Sequence, residues 1–310
     1  MHLLVTGVGG FVGTRLARRL LACGERVSGT AFGATPPIDG VALREVDLLD
    51  AAAVAAAVRA AAPDVVVHLA GLSHVGDSWK HMADYFRVNV LGTENLLAAA
   101  RAAAVERVVV ASSAEVYGLV PEAEQPIDER REVSPHTPYA LTKAAAERLA
   151  LAQGAVVVRS FNLVGPGQSA RFALPTFAAQ LAAIARGELD EVLRVGNLSA
   201  RRDFLHVDDG VDAYRLIAER GRPGEIYNVA SGNAVSIGEA LDRLMAISGV
   251  RARVEVDPAR VREVDLPLLL GDARRLRDLG WEPRRGLDEA LAELWAAASG
   301  GGGGAARASA

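Results

Sequence analysis

The chain has 310 residues, 50% of them hydrophobic, which suits a nucleotide-binding domain with a smaller partner and a large buried core. A formal net charge of -4 with no basic block excludes nucleic acid and anionic membrane surfaces as partners. Cys23 is the only cysteine, which excludes an intramolecular disulfide and a multi-cysteine metal site; with no signal-like leader and no apolar run of about 18 residues, a soluble protein in a reducing cytoplasm is expected.

His2 to Val5 predicts a short buried strand, and Phe11 to Ala22 a helix with Phe11, Leu16, Leu20 and Leu21 at helical spacing. Between them Gly7, Gly10 and Gly13 form G-x-x-G-x-x-G, with Val12 where G-x-G-x-x-G needs its last glycine. Such a turn lets another group approach the backbone closely, at a point where unpaired N–H groups and the helix dipole favour a phosphate. "ERVSGT" predicts a second strand, "VALREVDLLD" a third ending at Asp47, and Asp50 the N-cap of an alanine-rich helix through Ala62. "DVVVHLAG" (64–71) reads as a fourth strand, followed by a helical stretch from Trp79 to Ala103, and "ERVVVASSAEVYG" (106–118) as a fifth strand running into a polar loop. Strands apolar throughout and separated by helices imply a parallel sheet covered on both faces, with ligands off the carboxyl ends of the strands. Gly7, Ala70 and Ser113 fall at such ends. The pattern loosens after Phe161 into "NLVGPGQ" and shorter elements, which reads as a second domain, and "SGGGGAARASA" has the composition of a flexible tail.

In "SPHTPYALTKAAAE", Tyr139 and Lys143 are four apart at the start of a helix, so both side chains share one face. A phenol has an ordinary pKa near ~10, and a neighbouring ammonium favours the phenolate, which would bring the group closer to working pH. The pair can deliver a proton to a carbonyl oxygen or remove one from an alcohol, with Ser113 offering a second hydrogen bond to the same oxygen. His68, His74 and His206 show no metal-ligand spacing, so no metal site is expected.

"TGVGGFVG", "HLAG", "VNVLGT", "SSAEVYG", "PYALTK", "SFNLVGPGQ" and "RRDFLHVDD" together resemble the motif series of the extended short-chain dehydrogenases/reductases that act on nucleotide sugars. The likeness covers residues 1 to about 297. It implies an α/β fold: a doubly wound Rossmann parallel sheet with a smaller C-terminal α/β substrate domain. The division would be 1–162 with about 205–230 for the NAD(P)-binding domain, 163–204 with 231–298 for the nucleotide-sugar domain, and a tail over 299–310. The resemblance implies NADP or NAD as cofactor and a homodimer. Cofactor-binding positions would be Gly7, Gly10, Phe11, Val12, Gly13, Asp47, Leu48, Leu69, Ala70 and Gly71, with Asp47 and Leu48 at the adenine. Tyr139 would transfer the proton, Ser113 would assist, and Lys143 would hold the nicotinamide ribose. Ser73, Glu115, Asn162, Arg202, Arg262 and Asp265 would contact the substrate.

Within the family, "GDSWK", "NLVGPGQSARF", "RVGNLSARRDF", "GEIYNVASG" and "RVREVDLPLLLGDARRLRDLGW" are most similar to the branch that reduces GDP-linked 4-keto-6-deoxy sugars. In "REVDLP" the Arg262 guanidinium suits phosphate oxygens and the Asp265 carboxylate can accept both hydroxyls of a ribose, with Arg202 a second phosphate candidate. Ala31 and Phe32 stand where an acid would select NAD or a base NADP, so neither device is visible. The dehydratases of this family carry a proton donor and a glutamate after the serine, whereas this chain reads Ser113-Ala114-Glu115. A dehydratase or 4-epimerase that recycles its cofactor is the first alternative. The second is a non-catalytic NADP-sensing regulator, a class that usually lacks the Tyr and Lys pair.

Overall fold

The computed structural model describes residues 1–260 and 266–300. The N-terminal half alternates β1 (His2–Thr6), α1 (Phe11–Ala22), β2 (Arg26–Ala31), β3 (Val41–Glu45), α2 (Ala51–Ala61) and β4 (Val65–His68). Short helices α3 (Val75–Ser78) and α4 (Met82–Phe86) lead through a π turn, Arg87–Leu91, into α5 (Gly92–Ala102), then β5 (Arg107–Ser113), a 3-10 turn (Ala114–Tyr117), α6 (Pro138–Ala152) and β6 (Val156–Ser160). Next come β7 (Asn162–Val164), α7 (Ala173–Ala185), β8 (Val192–Val195), β9 (Arg201–His206), α8 (Val207–Arg220) and β10 (Ile226–Val229). The described chain closes with β11 (Ala234–Ser236), α9 (Ile237–Ser248), β12 (Arg253–Val256), β13 (Leu268–Leu269), α10 (Arg274–Arg277) and α11 (Leu287–Ser299).

Seven strands form one parallel sheet in the order β10-β6-β5-β4-β1-β2-β3. The order reverses between β1 and β4, and a crevice opens at the carboxyl ends of strands on either side of such a switch. Both faces are covered: α1 and α8 pack over Leu3, Val5, Val67 and Val109, and α2 and α5 over Leu4 and Val66. This explains why β1 and β4 are apolar at every position except His2, Thr6 and His68. A second sheet joins β9 to β11, β13 and β7, while β8 and β12 pair in parallel. Leu174, Phe177, Leu181, Leu241, Leu244, Leu291 and Leu294 of α7, α9 and α11 close a separate core with Leu193 and Val195 of β8.

Four expectations are adjusted by tertiary contacts. Strand β3 stops at Glu45, because Asp47 makes a turn in which its carboxylate accepts from Leu49 N. Strand β4 stops at His68, because Gly71 turns at φ 155° and Leu72 is held by both polar atoms of the Asn89 amide. The single helix expected over Trp79 to Ala103 is broken at His81 and widened at the π turn, which carries Asn89 to that loop. Ser299, the first residue of the expected tail, is the last of α11, and 301–310 lie outside the described residues.

Candidate active site

The glycine turn is built for close approach. Gly7 has φ +68°, and a Cβ there would stand 2.8 Å from the Ala70 backbone; a Cβ on Gly13 would stand 2.2 Å from the Gly7 carbonyl oxygen. The third glycine is therefore needed at 13, where α1 packs on the turn, and not at 12. Gly10 is the N-cap of α1 and brings no capping side chain, so Phe11, Val12 and Gly13 present the first N–H groups of the helix. The same closeness seats Leu69 and Ala70 beside the turn, with Gly71 next along the loop against Asn89. Asp47 is exposed and Leu48 buried, with the Leu48 carbonyl accepting from Asn95 Nδ2 at 2.8 Å. Phe32, just past β2, is 76% exposed.

Across the switch point, Thr137 caps α6 at Ala140 N and Pro138 takes its first position, so Tyr139 and Lys143 sit in the first turns. Tyr139 is 8% exposed, and burial raises its pKa above 10. The Ser113 hydroxyl works in the opposite direction and the Glu115 charge adds to the rise. This direction is opposite to the expectation of an acidified phenol: loss of solvent outweighs the Ser113 hydrogen bond, which favours the phenolate. Burial brings the Lys143 ammonium down to about 8, with the Glu147 charge opposing the fall. Ser113 Oγ accepts from Glu115 N at 3.2 Å, which fixes both residues at the end of β5.

A hydrogen-bonded chain that the sequence did not reveal joins the two halves of this crevice. Ala70 N donates to Thr6 Oγ1 at 3.3 Å, and Thr6 Oγ1 lies 2.7 Å from His68 Nδ1. His68 Nε2 stands 3.0 Å from Thr93 Oγ1, which donates to Asn89 O at 2.6 Å. Because the Thr93 proton is committed to that carbonyl, His68 donates from Nε2 and accepts at Nδ1 from Thr6. Burial holds His68 neutral, at about 3, with the Lys143 charge adding to the effect. Asn89 Nδ2 then reaches Thr142 Oγ1 at 3.0 Å, and that hydroxyl donates to Tyr139 O at 2.7 Å. The signal was present in "VNVLGT" and "PYALTK", but the partners of Asn89 and Thr142 lie 17 and 53 residues apart along the chain.

The remaining candidates lie beyond β6. Asn162 begins β7 opposite Phe204, and its Oδ1 is buried without a hydrogen-bond partner among the described residues. Arg202 is 6% exposed on β9, not on the surface, and Nη1 donates to the Leu266 carbonyl at 2.5 Å. Arg262 and Asp265 lie outside the described residues. Ser73 is exposed in the loop after β4, and this loop is tied to the one after β7 by Asp77 and Arg171 at 2.9 Å and by an edge-to-face contact of His74 with Phe172.

Fold and crevice define an extended short-chain dehydrogenase/reductase of the nucleotide-sugar type. The chain belongs to the family described as GDP-mannose 4,6 dehydratase, which matches residues 4–294. It is 36% identical to the GDP-6-deoxy-D-mannose reductase of Pseudomonas aeruginosa, over 94% of both chains. The structure of RMD from Pseudomonas aeruginosa complexed with NADPH superposes with a TM-score of 0.85 at 33% identity, covering 96% of this chain and 99% of that one. The UDP-glucose 4-epimerase of Thermus thermophilus in complex with NAD superposes with a TM-score of 0.88 at 30% identity, covering 97% and 100%.

Proposed function

We propose that the protein reduces the C4 keto group of GDP-4-keto-6-deoxy-D-mannose to give GDP-D-rhamnose, with NADPH or NADH as reductant. What carries this reading is the likeness to the GDP-6-deoxy-D-mannose reductase over 94% of both chains; the buried Tyr139 phenol, hydrogen-bonded by Ser113, would supply the one proton that reduction of a ketone consumes. The cofactor fits a turn where only glycine leaves room, at 7 and 13, under the N–H groups of α1. Gly7, Gly10, Phe11, Val12, Gly13, Asp47, Leu48, Leu69, Ala70 and Gly71 would hold it, and when bound it supplies hydride. Tyr139 gives its proton to the C4 oxygen as the carbon–oxygen double bond becomes a C–H and an alcohol. Ser113 donates to the same oxygen, and the Lys143 ammonium holds the nicotinamide ribose. Ser73, Glu115 and Asn162 meet the sugar, and Arg202 the diphosphate, with Arg262 and Asp265 assigned to the nucleotide's phosphate and ribose by their spacing and chemistry in the sequence. The division into a dinucleotide domain and a sugar-nucleotide domain remains part of this proposal.

The test is an assay of the purified protein with GDP-4-keto-6-deoxy-mannose: one NAD(P)H should be consumed per sugar, GDP-mannose should stay intact, and Glu115→Gln should keep most of the activity. Dehydration at C5–C6 needs a base, and Glu115 stands close enough to act on Tyr139. Water loss from GDP-mannose that disappears in Glu115→Gln would establish the dehydratase reading instead.

The Lys143 ammonium is the form present below about 8. Reduction should therefore proceed at full rate below that pH and decline as pH rises through it, while the Tyr139 phenol stays protonated across the range. A rate constant level up to pH ~10, the ordinary lysine range, would contradict this assignment.

The same proposal includes a homodimer in the cytoplasm. No helix among the described residues is long and apolar enough to cross a membrane. Met82 and Phe86 on α4, Leu91 at the end of the π turn and Leu141 on α6 are exposed apolar side chains on packed neighbouring elements, and are proposed to meet the second copy. The solution mass of the full chain should be that of two copies, and of one copy for Phe86→Asp.

A further inference from the structure

Helix α1, which opens on the glycine turn, is tied by one side chain to the loop that follows β7. The Arg15 guanidinium reaches two partners on different elements: Nη1 donates to Asp208 Oδ1 of α8 at 2.8 Å, and Nη2 donates to the Pro166 carbonyl at 3.1 Å. One turn further along α1, Arg19 Nε donates to Asp212 Oδ1 at 2.7 Å, again across to α8. Both arginines therefore join the same two helices. Of the two, Arg15 alone also holds the loop among the described residues.

The loop packs on the start of α1 as well. A Cβ on Gly165 would stand 2.5 Å from Cγ1 of Val207, the first residue of α8, and 4.0 Å from the ring of Phe11, the first residue of α1. Gln168 Nε2 donates to the Leu163 carbonyl at 2.9 Å, and because a carbonyl only accepts, this contact settles which way the amide faces. Gln168 Oε1 is then a buried acceptor without a partner among the described residues, as is Asn162 Oδ1. Two such acceptors in one short segment suit a ligand that brings hydroxyl groups.

We propose that Arg15 is a positioning residue for the substrate: by holding Asp208 and the Pro166 carbonyl at once, it fixes the segment from Asn162 to Gln168 against the helix that carries the cofactor turn. Sugar nucleotide and cofactor are thereby presented at one set separation. The effect on turnover rests on the reductase reading; the anchoring of the loop does not. A guanidinium suits this bridge, because its planar fork directs separate N–H groups at two acceptors, whereas an ammonium is a point charge on a flexible stem. The pair with Asp208 is partly exposed, at 24% and 33% of the side chains, so its loss should alter stability little. What is lost is the place of the loop. A contact that holds substrate alike in ground and transition states appears in KM and not in kcat.

Hydrogen exchange of the ligand-free full chain, read by mass spectrometry over residues 163–172, tests the anchoring. Arg15→Ala and Arg15→Met, the second of which keeps most of the apolar stem, should exchange this segment faster than the parent. Arg19→Ala removes the neighbouring pair between the same helices and should leave the segment as it is. With NADPH and GDP-4-keto-6-deoxy-mannose, both Arg15 variants should raise KM for the sugar ~10-fold at unchanged kcat, the worth of one charge-assisted hydrogen bond, while Arg19→Ala keeps the parent KM. Thermal melts show that each variant is folded. Parent-like exchange in the folded Arg15 variants overturns the proposal, and so does a KM within about twofold of the parent. Equal effects from Arg19→Ala also overturn it, since the cause would then be helix packing. If the parent oxidises no NADPH with the keto sugar, the reductase reading fails, while the exchange measurement still decides the anchoring.

Discussion

Replacing Tyr139 with phenylalanine is expected to lower kcat by ~10² to 10⁴ while leaving cofactor affinity near that of the parent, because general acid catalysis by a positioned side chain has that worth. The ring lies edge to face with Tyr85 at 6.4 Å between centroids, and phenylalanine preserves that packing while removing only the hydroxyl. The proton source is lost, but the glycine turn and loop 69–71 are untouched. Single-turnover NAD(P)H oxidation and a separate cofactor titration distinguish the two effects. A variant that keeps more than about a tenth of the parent rate would assign the proton to another group, since a positioned acid is worth more than that.

The largest stability effect is expected at Arg159. Replacing it with leucine leaves the Glu147 carboxylate buried with only the Ser112 hydroxyl as partner. Removing one member of a buried ion pair costs ~3 to 5 kcal/mol, because the remaining charge has neither water nor counter-charge. The chain also loses the contact of the guanidinium with Tyr117, whose phenol donates to Asn228 Oδ1 at 2.7 Å. Denaturant unfolding should show a much lower midpoint at an unchanged slope. Removing both charges together should recover most of the loss, since apolar replacement of a whole buried pair is often neutral. A single variant within ~1 kcal/mol of the parent would mean that water reaches the pair.

Much of the architecture is legible locally, because it follows from short-range periodicity. Helix α1 runs over Phe11–Ala22, and the Asp50 cap bonds Ala53 N, as the spacing of apolar and capping residues implies. Tyr139 and Lys143 share a face through helical geometry alone. Boundaries failed where a distant partner intervened: β4 ends early and the following helix is widened at Arg87–Leu91, where Asn89 satisfies both backbone groups of Leu72, a requirement that composition does not encode.

By itself, then, the sequence determined the order of strands and helices through β5 and α6, the glycine turn and the pairing of Tyr139 with Lys143 on one helix face, since each depends on residues within a few positions of one another. Tertiary structure alone decided the burial of that pair and of Arg202, and the links from Thr6 through His68 and Asn89 to α6. Those properties depend on which groups the sheet order brings together and how much water it removes, and both involve residues far apart in the chain.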